Sequence, residues 1–62
     1  MTGKELRRMR KRLEMTQAEL ARALGLQRNS ITLMETGERP VVKVTELAVR
    51  FLLVKFKKGE GK

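Results

Sequence analysis

Residues 16–37 read TQAELARALGLQRNSITLMETG, and this stretch decides the fold. Thr16 followed three residues later by Glu19 is a capping box. The threonine oxygen accepts from the backbone N–H three positions on, and the glutamate reaches back to the threonine's own N–H. A helix therefore starts near residue 17, and Gly25 supplies the left-handed residue that ends it. A second helix follows after a turn of about three residues, with Leu26 and Ile31 at staple spacing around Gln27 as N-cap and Gly37 as its stop. Glutamine is a poor cap, so this start is the more weakly marked of the two. Ala21 is small where the helices must approach, and Leu20, Leu24, Ile31 and Met34 form an apolar seam. Two helices joined by a short glycine-containing turn have the helix-turn-helix layout.

The flanks obey the same grammar. Thr2 and Glu5 repeat the M-T-x-x-E-L pattern of the central box, which predicts a helix from about residue 3 to Leu13 or Glu14, with Leu6, Met9 and Leu13 inward. After the Gly-Glu-Arg-Pro turn, Val44, Leu47, Ala48, Phe51 and Leu52 recur at i, i+3, i+4, i+7 and i+8, which predicts a fourth helix over 44–57. With Val54 they form the expected core-facing arc. Val49, Leu53 and Phe56 make a second apolar stripe, more than a monomer's surface helix needs, and are expected to form a dimer interface. The fold class is all-α: one compact domain over 1–58 with a frayed tail at 59–62, and no stretch alternates as a strand would.

Composition narrows the chemistry. The 62 residues include no cysteine, histidine, tyrosine or tryptophan, so the commonest metal ligands and the commonest general base are missing. The acids and hydroxyls form no spaced catalytic set, and neither an enzyme nor a cofactor or metal is expected. The longest apolar run, Phe51 to Val54, falls far short of the ~20 residues of a membrane span. No apolar segment follows the basic N-terminus, so a secretory signal is not expected; a cytoplasmic, nucleoid-associated protein is. The net charge of +8 is uneven: residues 1–14 and 41–62 each hold six bases and two acids, whereas 15–40 is neutral. Two basic segments around a neutral centre suit a polyanion.

The combination of Leu13, the run Thr16 to Ala21, Leu24-Gly25, Ser30-Ile31 and the run Glu35 to Pro40 resembles the phage repressor and Cro class of DNA-binding domains, the Xre family, over roughly residues 5–52. The resemblance implies a lambda-repressor-like fold. Such domains usually carry five helices where this chain reads as four. It also implies a double-stranded DNA partner, a transcriptional role, most simply repression, and a homodimer on a two-fold-related operator.

Helix phase puts Asn29, Thr32 and Leu33 on the side of the third helix away from its core, with Gln27 and Arg28 at its tip. In a helix-turn-helix this end meets base edges in the major groove. Arg28 suits a guanine, Asn29 or Gln27 an adenine, and Leu33 a thymine methyl; the plainer alternative is an ordinary surface, with Leu33 folded against the fourth helix. The resemblance implies that Gln17 anchors a phosphate at its helix N-terminus. Lys11, on one stripe with Lys4 and Arg8, is a further candidate for the DNA backbone, as are Arg39 and Lys43. Arg10 and Glu35 each border an apolar face and need a partner. The resemblance pairs them, and they read as a structural ion pair, mainly fold-specifying, that can turn Arg10 toward a phosphate. Two other functions compete. One is an antitoxin or other interaction protein that binds a toxin and regulates itself through DNA. The other is a non-specific nucleic-acid binder, against which the missing tyrosine and tryptophan weigh.

Overall fold

The computed structural model describes residues 1–56 and consists there of four helices and no strand: α1 (Gly3–Arg12), α2 (Gln17–Leu24), α3 (Arg28–Thr36) and α4 (Lys43–Lys55). The expected tail at 59–62 lies outside the described residues. Both capping boxes form. The Glu5 and Glu19 N–H groups each donate to a threonine oxygen at 3.1 Å, and the Thr2 and Thr16 N–H groups each donate to a glutamate oxygen at 2.8 Å. Gly25 (φ 72°) and Gly37 (φ 91°) end α2 and α3 in the left-handed conformation. The turn after α1 uses no glycine: Glu14 itself takes φ 59°. Its N–H donates to the Lys11 carbonyl at 3.0 Å and that of Met15 to the Arg10 carbonyl at 3.2 Å, a complete Schellman motif.

One core joins the helices. Leu6, Leu20, Ile31 and Val49, one from each helix, are fully buried, and Leu13, Ala21, Met34 and Leu52 surround them. Each such side chain contributes ~1.5–3 kcal/mol by leaving water. At Gly3 a Cβ would lie inside contact distance of the Met34 carbonyl oxygen and 2.7 Å from that of Glu35, so only glycine lets the start of α1 close on the end of α3.

α4 is rotated away from the arc its apolar pattern predicts: of that arc Leu52 is buried and Ala48 half-buried, but the rest is not. Val49, expected on an outward stripe, is fully buried; Leu53 packs against the core; Phe56 is about half exposed. Most of the arc expected to be inward is outward instead: Val44, Leu47, Phe51 and Val54 are 76, 57, 62 and 77% exposed. Both stripes are apolar, so periodicity cannot rank them. Packing selects the face carrying Thr45, Val49 and Leu52, and the ammonium of Met1 reaches Glu46 beside it at 3.4 Å.

Candidate nucleic-acid interface

The two helices of the central motif are pinned together by a polar network built from local rules. Thr16 caps α2, which makes Gln17 its first residue. On α3, Thr32 and Glu35 stand three residues apart, hence on one flank. The Gln17 amide bridges them: its Nε2 donates to Glu35 Oε1 at 3.1 Å, and its Oε1 accepts from the Thr32 hydroxyl at 3.0 Å. Glu35 also receives Arg10 from α1 in a two-pronged ion pair, Nε to Oε2 at 2.7 Å and Nη2 to Oε1 at 3.2 Å. Arg10 Nη1 donates to the Met15 carbonyl at 3.0 Å. The paired side chains are only 12% and 5% exposed, and no buried side-chain nitrogen or oxygen among the described residues is left without a partner.

The tip of α3 contrasts with this network. Gln27 is the N-cap but makes no side-chain cap hydrogen bond. Gln27, Arg28 and Asn29 are exposed, and the Arg28 and Asn29 side chains engage in no hydrogen bond or ion pair among the described residues. The Ser30 N–H turns back to the Gln27 carbonyl at 2.9 Å, so the first two N–H groups, the helix dipole and three long or amide side chains face solvent together. Leu33 is half-buried but is not among the side chains packed on the core. Thr32 is half-buried and committed to Gln17.

The remaining sequence candidates are exposed. Lys11 and Lys43 are exposed, the latter opening α4. Arg39, in the loop after α3, folds back so that its Nη1 donates to Ser30 Oγ at 3.2 Å. The structure thus joins Arg10 and Gln17 through Glu35, Thr32 to Gln17, and Arg39 to α3. Sequence reasoning found the partner of Arg10 but missed Gln17 as a member of its network, and missed Ser30. The signal available was weak: Arg28, Thr32 and Glu35 share one flank at i, i+4 and i+7, which marks a polar edge on α3 without saying what it meets.

No group of three potential metal ligands occurs among the described residues, and no described helix is long and apolar enough to cross a membrane. A family model for the helix-turn-helix domain matches residues 3–52, from the first residue of α1 to a point near the end of α4. The chain belongs to that family, which makes it a DNA-binding domain of a typically non-enzymatic kind. No curated protein and no solved structure matches it significantly.

Proposed function

We propose that the protein is a sequence-specific regulator of the phage repressor and Cro kind, most simply a repressor, that binds a two-fold-related operator as a homodimer. The observation that carries the specific part is the exposed, unengaged set Gln27, Arg28 and Asn29 at the open start of α3. Arg28 would read a guanine and Asn29 an adenine, while Lys11, Arg39 and Lys43 hold phosphates. The dimer is supported by α4, not through Val49 and Leu53 but through the opposite face. Val44, Leu47, Phe51 and Val54 are spaced three, four and three residues apart. An antiparallel two-fold pairing sets Leu47 of one copy against Phe51 of the other, and Val44 against Val54.

Selection from random duplexes tests the reading. An enriched two-fold motif is expected, and Arg28→Ala or Asn29→Ala should cost ~1–3 kcal/mol on it and much less on a scrambled duplex. Equal losses on both duplexes would defeat base reading by α3. Sedimentation of Phe51→Glu should show a monomer where the parent is a dimer. The same apolar face supports a second reading, an antitoxin-like protein that docks a different chain there. A parent that stays monomeric at high micromolar concentration while binding DNA would favour it.

A further inference from the structure

We infer that Thr32 does not read a base but positions Gln17, so that the Gln17 amide is presented to a backbone phosphate in one fixed orientation; this rests on the DNA-binding reading above. The chemistry of the contacts decides the orientation. The Glu35 carboxylate only accepts, so the nitrogen of the Gln17 amide must face it, at 3.1 Å. The oxygen then faces the Thr32 hydroxyl at 3.0 Å, which donates. That hydroxyl has one proton and a second acceptor within reach, the Arg28 carbonyl of its own helix at 3.3 Å, but the bond to Gln17 is the shorter. An amide nitrogen carries two protons. One is held by Glu35, and the other remains for an external oxygen.

The geometry also explains why an amide suits this place. Arg10 already satisfies Glu35 with two donors, so a second cation at residue 17 is not required, whereas a group that both donates and accepts links α2 to α3. Glu35 keeps that amide from turning over, and Thr32 holds its oxygen end in place. Without its hydroxyl the Gln17 oxygen loses its donor, and the remaining N–H loses its fixed direction. The effect on DNA should be uniform over sequences, because phosphates carry no sequence information directly.

The experiment compares the parent, Thr32→Val, Thr32→Ser, Gln17→Ala and the Thr32→Val/Gln17→Ala double variant. Each is titrated with a selected duplex and with a scrambled duplex of the same composition, and the side-chain amide resonances of Gln17 are followed by NMR. Thr32→Val should weaken binding to both duplexes alike, about threefold to tenfold, the worth of one hydrogen bond. Thr32→Ser should restore it. In the Gln17→Ala background Thr32→Val should change nothing further, and in the otherwise native protein it should shift the Gln17 amide resonances even without DNA. A loss confined to the selected duplex would make Thr32 a base reader and overturn the inference. So would a full Thr32→Val effect in the Gln17→Ala background, or Gln17 resonances that do not move. A parent that binds neither duplex would remove the DNA-binding reading and this inference with it, a result distinct from the other three.

Discussion

At the start of α2, Thr16 and Glu19 satisfy each other's backbone N–H groups, and Gln17 is held by Glu35 and Thr32. At the start of α3, nine residues of helix open on Gln27 with no side-chain cap, and Arg28 and Asn29 extend into solvent. One end is closed by the protein's own groups. At the other, only the third residue's N–H is bonded within the turn, from Ser30 to the Gln27 carbonyl at 2.9 Å. The contrast separates two tasks that a short motif must perform: the closed end fixes the angle between the helices, and the open end can meet a ligand without first breaking internal bonds. The outer helices repeat it, since α1 begins with a full capping box and α4 begins at Val42 with none.

The strongest way to break the closed end is to remove Glu35. Glu35→Ala takes the acceptor from Arg10 and Gln17 at once and should cost ~2–3 kcal/mol in a urea titration, because it leaves a largely buried guanidinium without its counter-charge. Arg10→Ala should cost less, since Glu35 keeps the Gln17 donor. The double variant should lose less than the two singles together. Additive losses would show that the ion pair is not what closes this end.

Exchanging the two starts gives effects of opposite sign. Thr16→Ala should lower stability by ~1 kcal/mol, whereas Gln27→Ser should raise it by roughly 0.5–1 kcal/mol by capping α3. If the open start serves DNA, Gln27→Ser should also bind the selected duplex more weakly than the parent. A stabilised variant with undiminished affinity would mean that the missing cap has no part in binding.

The smallest effect sharpens the comparison for the outer helices. The Thr2 backbone N–H holds the Glu5 carboxyl below its ordinary value, and the hydrogen bond from Arg50 does the same for Glu46. A carboxyl whose pKa is depressed on folding contributes stability that is fully present above its unfolded value and is lost as pH falls through the folded one. Melting temperature should therefore drop slightly as pH falls from the ordinary carboxylate value through the lowered one. Glu5→Gln and Glu46→Gln should each flatten that drop; unchanged slopes in both would show that neither contact is kept in solution.

The order of the elements and their ends were legible in the chain itself. A threonine and a glutamate three residues apart, or a glycine after the last apolar residue, act through hydrogen bonds that close within one turn, so their position in the sequence is sufficient. The charge at residues 10 and 35 was legible too, as polar groups bordering apolar faces. Other features needed the assembled molecule. Nothing in a glutamate announces φ 59°, yet Glu14 turns the chain in the left-handed conformation that glycine favours. Gly3 looks like any first helical residue until the carbonyls of Met34 and Glu35 come up against it. Nothing in Thr32 announces a bond to Gln17 until α2 comes beside it.

The rotation of α4 shows the division most sharply. Its sequence determined a helix with two apolar stripes, but only the space left by α1, α2 and α3 decided that Thr45, Val49 and Leu52 go inward while Leu47 and Phe51 stay out. Backbone hydrogen bonds and caps depend on neighbours along the chain and are therefore set by sequence order. Which of two similar faces is buried depends on the shape of a cavity formed by residues far away, and that shape exists only once the helices have met.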